Sequence, residues 1–545
     1  MFVVRIAVTP LLVVFQSYDS APSPSSVANR IRIWAVALAL LGGLLTGCSG
    51  TGSNPGAEEE PRPEDDPPPE DVVDGYTSQP ADIRIDGRSR EWSSLSVRYD
   101  DSGDGSGTPT LGRLWIAHTE ERLFLRLTVT PRINLEANND LRLYIDADDD
   151  PTTGTSALGV GAELSWAFGG KQGQFRGTTI RHEDIGFASL PTVRADTFEI
   201  TLDRSAQPGG RPLFPEDTIR VALSANGDRL PNGDGGLGYV LSDTQTSPQS
   251  PSLDRPTAAD VRLLSYNVPY NFNTDQSTLS DPNVQESVRR ILDATGPDVV
   301  GLQEMYDLTA DEIEQRAETD LGLPDAWHWA TEGNDLALGT EYAIDDTHAI
   351  AGAPGFPSAA FLLDTSGSLG RRLVVVLMHP KCCNDPGDNQ DRQQTADGVA
   401  AFLRDVTDGT GPFGVDPNTP VVVAGDMNFV GDRQQRQTLL SGDIVNTTEF
   451  GSSAAPDWDG TSLLDTNPQQ TGSPLHTTTD DPGSRFPPGR LDYAFTTDSV
   501  LEVVHEYVLN TSTLTQAQRS NTGLKQDDTV TASDHLPVVV DLALR

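Results

Sequence analysis

Residues 421–428 read Val-Val-Val-Ala-Gly-Asp-Met-Asn, and this stretch decides the fold. A run of four apolar residues, three of them β-branched, is typical of a strand that is buried on both faces. Gly425 ends the apolar run, and Asp426 and Asn428 follow it. In layered folds with buried strands, ligands bind beyond the ends of the strands. Asp426 and Asn428 are therefore the first members of a candidate site.

Five further apolar runs in the C-terminal half predict strands with polar residues at one end. They are residues 261–266 followed by Asn267, 298–303 followed by Glu304, 373–378 followed by His379, 491–495 with Asp492 near its start, and 538–542 preceded by Asp534 and His535. A single Asp or Asn at a strand end usually caps a turn, and a lone His is more often structural. The recurrence of such residues at strand after strand favours a catalytic site.

Two segments between these strands have helical periodicity. One face of a helix is marked by Val284, Val288, Ile291 and Leu292, and one face of another by Val399, Phe402, Leu403 and Val406. Strands that alternate with amphipathic helices predict an α/β or α+β layered domain from about Asp260 onward.

Five strings occur in order in this part of the chain: Leu-Ser-Tyr-Asn-Val (264–268), Asp-Val-Val-Gly-Leu-Gln-Glu (298–304), Gly-Asp-Met-Asn (425–428), Leu-Asp-Tyr (491–493) and Ser-Asp-His-Leu-Pro (533–537). Together they resemble the motifs of the endonuclease/exonuclease/phosphatase superfamily. That superfamily includes DNase I-like nucleases, abasic-site endonucleases, bacterial sphingomyelinases and inositol polyphosphate 5-phosphatases. The resemblance covers residues 258–545 and implies a DNase I-like α/β sandwich, with two β-sheets faced by helices and the site at the strand ends.

The resemblance also implies a metal-dependent phosphoesterase. Asn267 and Glu304 match the family's metal-binding positions, with Asp534 close by in support. Mg²⁺ prefers oxygen ligands and keeps several waters, so one carboxylate and one carboxamide are enough to begin such a site. Mg²⁺ is the expected cofactor, with Mn²⁺ or Ca²⁺ as the alternative.

The remaining matches imply catalytic roles. His535 corresponds to the general base that activates water, and Asp492 to the carboxylate that orients its imidazole. Imidazole suits this task because its unperturbed pKa is near neutrality. Asp426 and Asn428 would position the nucleophile and donate a hydrogen bond to a phosphoryl oxygen. His379 would stabilise that oxygen or protonate the leaving group.

Two loops depart from the family pattern. Residues 333–344 lack the basic residue that many members carry there, and Pro-Lys-Cys-Cys (380–383) follows His379 where many members have a Leu. These loops shape the pocket, so the departures bear on which substrate the protein binds. They leave the predicted catalytic positions in place. Residues 450–488 are rich in Gly, Pro, Asp and Ser and are expected to form a loop on the substrate side.

The acidic balance of the chain bears on its partners. The sequence has 38 Lys and Arg residues against 80 Asp and Glu residues, a formal net charge of −42 at pH 7. Such a surface disfavours nucleic-acid binding by a broad basic face, although a bound cation can still attract a phosphodiester locally. Two substrate classes remain open: DNA or RNA for an extracellular nuclease, and a phospholipid for a sphingomyelinase-like enzyme. A monomer is expected.

Residues 78–250 predict an all-β sandwich, because short alternating runs such as 123–129 are separated by Gly, Asp and Pro clusters. Ile-Asp-Gly (85–87), Glu-Trp (91–92) and Tyr-Ile-Asp-Ala-Asp (144–148) resemble a family 9 carbohydrate-binding module or a DOMON-like relative. This implies a polysaccharide partner. A structural Ca²⁺ is expected near Asp146, Asp148 and Asp150, although a solvated acidic turn fits equally well. A sugar platform made by Trp92, Trp115 and Trp166 is the alternative to core packing, which we favour.

The N-terminus predicts the location. Arg30 and Arg32 precede an apolar run at 33–45, which ends in Leu-Thr-Gly-Cys (45–48). This pattern resembles a bacterial lipoprotein signal (residues 1–48) with Cys48 lipidated after cleavage, and the run is short for a membrane span. Residues 49–77 form an acidic, Pro-rich stretch expected to be a disordered tether. The expected location is the outer side of a bacterial membrane, or secretion from the cell.

A different class of function is a surface glycan-binding lipoprotein whose C-terminal domain is inactive. That hypothesis predicts loss of residues such as Glu304 or His535, and both are present. The phosphoesterase hypothesis is therefore the stronger one.

Overall fold

The computed structural model describes residues 75–545, except residues 103–104, 106, 242–249, 272–280, 307, 334 and 357. The predicted signal, with Cys48, and most of the predicted tether lie outside the described residues. Thr77, predicted as the last tether residue, pairs with Tyr239 and therefore belongs to the β-rich region. None of the helices in the described part of the chain has the length and apolar content needed to cross a bilayer.

Residues 99–240 form short strands separated by tight turns. The strands are β1 Tyr99–Asp100, β2 Thr110–His118, β3 Arg122–Ile133, β4 Arg142–Asp146, β5 Thr155–Ala157, β6 Val160–Ala162, β7 Leu164–Ala167, β8 Gln172–Phe175, β9 Thr178–Ile180, β10 Ala188–Leu190, β11 Ala195–Asp203, β12 Thr218–Ala225, β13 Asp228–Leu230 and β14 Leu237–Val240. One short helix, α1 (His182–Ile185), lies between β9 and β10.

Two sheets of this region pack face to face. Their strand orders are β1-β2-β3-β11-β10 and β13-β12-β4-β7-β8-β9, with β14 paired to β12. Leu125 and Phe198 of the first sheet share one core with Leu143, Trp166 and Val221 of the second. The predicted all-β sandwich is confirmed.

The three tryptophans singled out in the sequence fill cores. Trp92, Trp115 and Trp166 are all fully buried, and Trp166 stacks on Phe187. Core packing is therefore confirmed for these residues, and the sugar platform that was its alternative is wrong, because no buried ring can offer its face to a sugar.

The C-terminal domain is built from longer, more deeply buried strands. They are β15 Val261–Asn271, β16 Val299–Tyr306, β17 His328–Glu332, β18 Leu336–Thr340, β19 Ile344–Ile350, β20 Ser358–Leu363, β21 Leu373–Met378, β22 Val421–Asp426, β23 Leu464–Asp465, β24 Asp492–Thr496, β25 Leu501–Val508 and β26 Val538–Leu544. The helices are α2 Pro282–Thr295, α3 Ala310–Thr319, α4 Pro386–Thr407, α5 Gln434–Ser441, α6 Thr447–Phe450, α7 Gln516–Thr522 and α8 Asp528–Ala532.

These strands form two stacked six-stranded sheets. Their orders are β17-β18-β16-β15-β26-β25 and β19-β20-β21-β22-β24-β23. Successive side chains of a strand point to opposite faces, so each strand contributes to two cores. Leu263 and Val375 lie between the sheets, whereas Leu264 packs under α2 and Val376 under α4. This arrangement confirms the predicted α+β class and the sandwich of two sheets faced by helices.

The β-sandwich packs directly on two loops of the C-terminal domain. Thr192 Oγ1 donates to the carbonyl oxygens of Phe429 (2.8 Å) and Arg490 (3.2 Å). Asn134 Nδ2 donates to Val430 O at 2.7 Å, and Arg194 N–H donates to the carbonyl oxygen of Gly431 in the same loop at 2.9 Å. Phe429 directly follows Asn428, and Arg490 is two residues before Asp492. The contacts therefore fall beside two of the predicted site residues.

An ion-pair cluster reinforces this interface. The buried Asp465 carboxylate contacts Arg490, Arg436 (2.7 Å) and Arg88 of the sandwich (3.4 Å). Burial would raise the pKa of Asp465, but the three guanidinium groups outweigh it and hold this pKa well below its usual range. The stretch 450–488 thus helps to join the two domains, and its position on the substrate side stays a prediction.

Candidate active site

Strand pairing brings the predicted residues to one edge of the two sheets. β15 runs parallel to β16, and β21 runs parallel to β22, so the ends of each pair coincide. β24 runs antiparallel to β22, and its first residue, Asp492, is paired directly with Asp426. Asn267 lies beside Gln303 in the parallel pair, which places Glu304 next to it.

The Asp426 carboxylate is the centre of this cluster. Its Oδ2 accepts hydrogen bonds from Asn267 Nδ2 and Asn428 Nδ2, both at 3.1 Å. The same oxygen lies 3.6 Å from His379 Nε2 and 3.7 Å from His535 Nε2. Burial raises the pKa of Asp426, while the two histidines lower it. Side chains from both sheets therefore converge on one buried carboxylate.

His535 is held by a carboxylate on its far nitrogen. Its Nδ1–H donates to Asp492 Oδ2 at 2.8 Å, so Nε2 faces Asp426. Burial alone would lower the pKa of His535, but the charges of Asp492 and Asp426 outweigh it and raise that pKa to about 10. The Thr478 hydroxyl in turn accepts from the backbone N–H of Asp492 at 2.9 Å and fixes the start of β24.

His379 has the same arrangement with a partner that the sequence analysis missed. Its Nδ1–H donates to Asp335 Oδ2 at 2.6 Å, and both side chains are buried. Burial lowers the pKa of His379, yet Asp335 and Asp426 raise it above its usual value. Asp335 directly precedes β18, in the loop that lacks the family's basic residue. The sequence could have indicated such a partner, because a catalytic histidine is usually oriented by a hydrogen bond from its second ring nitrogen to a carboxylate or a carbonyl oxygen.

Asn428 is in place, but its amide group is already engaged. Its Nδ2 donates to Pro380 O at 3.2 Å as well as to Asp426, and its backbone N–H donates to Asp426 Oδ1 at 3.0 Å. Its φ of 51° is in the left-handed region, which Asn tolerates better than most residues. In this arrangement Asn428 orients Asp426, and both N–H groups of its amide have protein partners.

Asn267 and Glu304 fit a hard divalent cation. Asn267 Oδ1 is buried without a hydrogen-bond partner among the described residues, although its Nδ2 donates to Glu304 Oε1 at 3.2 Å. A buried carbonyl oxygen without a partner is costly, and a cation removes that cost. Glu304 has a φ of 65°, a strained value for this residue type that occurs mainly at functional sites. These two residues are the best-placed ligands.

Asp534, the third predicted ligand, lies near Asn267 through Ser533, whose hydroxyl donates to Asn267 O at 2.7 Å and lies 3.4 Å from Asp534 Oδ1. Its side chain is exposed, and no hydrogen bond or ion pair in the described part of the chain joins its carboxylate to Asn267 or Glu304. Its charge acts instead on the neighbouring His535, whose pKa it helps to raise.

Asp426, Asp492 and His535 could also hold a metal on distance alone. Asp492 Oδ2 and His535 Nδ1 already form a 2.8 Å hydrogen bond with each other, however. A proton between these atoms takes up one nitrogen of His535 and one oxygen of Asp492, and an imidazole held in this way is an oriented acid–base group. We therefore interpret the three residues as catalytic groups, and Asn267 and Glu304 as the pair that could hold a cation.

The family assignment follows from a sequence match to this same region. Residues 264–535 match the Endonuclease/Exonuclease/phosphatase family. The C-terminal domain belongs to this family. It is therefore a phosphoesterase domain, and the family match includes every residue of the cluster around Asp426.

Solved structures of low sequence identity are similar to the chain over 52% of its length. They include TDP2 of D. rerio complexed with a single-stranded DNA product (14% identity, 98% of that chain, TM-score 0.33). They also include an endonuclease/exonuclease/phosphatase from Beutenbergia cavernae (20%, 71%, 0.32) and sphingomyelinase C from Streptomyces griseocarneus (17%, 98%, 0.32). No curated protein sequence matches the chain.

A second acidic cluster lies in the β-sandwich and differs from the predicted one. Asp146 and Asp148 are brought together with Glu163, which the sequence analysis did not identify. Asp150, predicted as a ligand, turns away, and its carboxylate accepts hydrogen bonds from the N–H (2.9 Å) and hydroxyl (2.6 Å) of Thr152. The buried carboxylates are satisfied by protein donors, since Asp146 accepts from Gly161 N–H at 3.2 Å.

We predict that Asp492→Asn lowers the pKa of His535 in the metal-free protein. The substitution removes the carboxylate charge that raises this pKa, so at pH 8 the imidazole should be protonated in the wild type and largely neutral in the variant. An NMR titration of the His535 ring measures this. Because the folded-state pKa is raised, the stability from the protonated pair is complete below the unfolded pKa of about 6.5 and is lost as pH rises towards 10.

Asp293→Asn is the matched control, since Asp293 is exposed on α2. It removes the same charge at a distance and should leave the His535 titration unchanged. An unaltered His535 pKa in Asp492→Asn would show that Asp492 does not control this imidazole.

Proposed function

We propose that this protein is a Mg²⁺-dependent phosphodiesterase that acts outside the cytoplasm, with nucleic acid as its substrate class. One observation carries the proposal: two buried imidazoles, each held at Nδ1 by a carboxylate, direct their Nε2 atoms to the same oxygen of Asp426. A pair of oriented acid–base groups about one centre is what hydrolysis of a phosphoester requires.

In this proposal Asn267 and Glu304 hold the cation. When bound, Mg²⁺ polarises the phosphoryl group and neutralises the charge that develops on it. Mn²⁺ or Ca²⁺ offers the same oxygen-seeking chemistry at this ligand pair.

His535 accepts the proton of the attacking water at Nε2. Asp492 holds Nδ1–H at 2.8 Å, which fixes the ring orientation and stabilises the imidazolium that forms. Asp426 lies within 3.7 Å of this nitrogen and accepts a hydrogen bond from the water, which sets its direction of attack. A cation held by Asn267 and Glu304 would oppose the charge of the carboxylates around His535, lower the pKa of this histidine and favour its neutral imidazole.

His379 acts on an oxygen of the substrate, whereas His535 acts on the attacking water. Asp335 holds its Nδ1–H, so the free Nε2 can donate to a phosphoryl oxygen or protonate the leaving oxygen. A raised pKa favours the protonated form that this role needs.

An inactive glycan-binding lipoprotein is the weaker proposal. The His–carboxylate pairs are complete and buried, which an inactive domain has no need to preserve. The buried tryptophans of the sandwich also remove the residues first considered for sugar binding. A phospholipid substrate stays the alternative within the same chemistry.

The deciding test is Mg²⁺-dependent nicking of supercoiled plasmid by the chain lacking residues 1–48. We expect nicking by the wild type, its loss in EDTA, and a fall of about 10²- to 10⁴-fold in His535→Ala. Absence of nicking by the intact protein, with hydrolysis of sphingomyelin or phosphatidylinositol in its place, would overturn the nucleic-acid proposal in favour of the lipid one.

We predict that Asp335→Asn slows DNA cleavage at least about tenfold, because His379 loses its orienting charge. If His379 protonates the leaving oxygen, hydrolysis of bis(p-nitrophenyl) phosphate should fall less, since p-nitrophenolate leaves without a proton. Comparing kcat for the two substrates measures this, with Asp293→Asn as control. Equal losses on both would assign His379 to phosphoryl-oxygen stabilisation alone.

We propose that a lipid on Cys48 anchors the protein to the outer side of a bacterial membrane, on the strength of the Leu-Thr-Gly-Cys signal. Expression of the full chain and of Cys48→Ser, followed by membrane fractionation, tests this. The wild type should sediment with membranes and the variant should not. Equal distribution of both proteins would exclude lipid anchoring through Cys48.

A further inference from the structure

The loop of residues 479–489 arises directly from the catalytic His–Asp pair. At one end, Thr479 pairs with His535, and Asp480 N–H donates to Asp534 O at 2.9 Å. At the other end, Gly489 leads through two residues into Asp492. The two ends are joined because Thr478 N–H donates to Gly489 O at 2.7 Å. Both ends of this loop therefore adjoin the site.

The β-sandwich holds the loop in position. Arg181 donates to Gly483 O at 3.2 Å, and His182 Nε2 lies 3.1 Å from Ser484 O. Both residues belong to the segment that opens α1. The tip of the loop, residues 484–487, is thus fixed against a second domain and presents a defined surface.

Phe486 stands exposed on this tip. Its exposed fraction is 56%, and in the described part of the chain no other Phe or Trp is a largely exposed residue. Lys171 Nζ of the sandwich lies 4.8 Å from the ring centroid, and the Arg485 guanidinium carbon lies 5.9 Å from it. One exposed aromatic ring thus lies beside two cations, and each domain contributes one of them.

The charges around the ring leave these cations available. Lys171 Nζ donates to the backbone carbonyl of Glu136 at 2.7 Å and also interacts with the charge of the Glu136 carboxylate, although no ion pair within 4 Å joins Lys171 or Arg485 to a described carboxylate. The nearby Asp481 carboxylate accepts instead from Gly483 N–H at 3.0 Å. Like charges are therefore held near each other at the rim, an arrangement that an anionic ligand stabilises.

We propose that Phe486, Lys171 and Arg485 form a subsite that stacks an unpaired base of a polynucleotide and binds the adjacent phosphate. Every base has a flat face that can stack on an aromatic ring, and cations beside the ring match the phosphate that accompanies it. The proposal rests on the proposed phosphodiesterase function and names single-stranded nucleic acid as the substrate class. An isolated ring flanked by Ser, Arg and Pro lacks the apolar patch of a membrane anchor.

The test separates binding at the subsite from catalysis at the centre. Binding is measured as the Kd for a fluorescein-labelled single-stranded oligonucleotide, by fluorescence anisotropy in EDTA. The oligonucleotide has about 12 nucleotides, a length within the usual site size of single-strand-binding proteins. Catalysis is kcat/KM for bis(p-nitrophenyl) phosphate with Mg²⁺, a substrate that has no base to stack. The variants are Phe486→Ala, Phe486→Trp and Lys171→Met, with Val445→Ala as control because Val445 is also 56% exposed.

We expect Phe486→Ala to raise Kd about five- to a hundredfold, and Phe486→Trp to bind as tightly as the wild type. Lys171→Met should lower the slope of log Kd against log salt concentration by about 0.7, the loss of one phosphate contact. All variants should hydrolyse bis(p-nitrophenyl) phosphate at the wild-type rate.

Equal Kd values for the wild type and Phe486→Ala would overturn the subsite. The subsite would also be overturned if Phe486→Ala lost binding to phosphatidylcholine vesicles and kept its binding to the oligonucleotide. That result would make Phe486 a membrane contact. If the wild type fails to hydrolyse bis(p-nitrophenyl) phosphate, the proposed function fails, while the Kd comparison still decides the subsite.

Discussion

The structure of the site depends on burying one carboxylate, that of Asp426, at the point where two sheets meet. Burial of a charge is expensive unless donors surround it, and here two amide groups and two imidazoles do so. β22 can bring Asp426 to this point because Gly425, with a φ of 140°, lies against Met378 O, where a Cβ atom would clash. The neighbouring side chains are thus fixed by the need to satisfy Asp426.

Sequence reasoning recovered what local patterns determine. The apolar runs at 373–378 and 421–424 are strands, and the periodic face marked by Phe402 packs on them as α4. The periodic face marked by Val288 packs on β15 and β16 as α2. Strands such as β19, with mixed polarity along its length, escaped because their burial is decided by a neighbouring strand. Sequence order also identified the side chains around Asp426, since they sit at the ends of recognisable strands.

What sequence reasoning missed are partners that only the fold brings together. Asp335 and His379 are 44 residues apart, and no spacing rule links them. Glu163 likewise joins Asp146 across a turn, whereas the adjacent Asp150 is diverted by Thr152. Asp534 stays a prediction as a metal ligand, because its side chain is exposed while Ser533 Oγ lies 3.4 Å from its carboxylate and donates to Asn267 O at 2.7 Å.

The interface between the two domains has a consequence for how the protein can be divided. Leu475 of the C-terminal domain is buried in a core made by Ile85, Trp92 and Trp115 of the sandwich, and Arg88 helps to neutralise Asp465. A fragment that began at β15 would expose Leu475 to water and lose the Thr192 hydroxyl that fixes Phe429 and Arg490. The sandwich is therefore not an interchangeable module. A substitution on either side of this interface therefore acts on both domains.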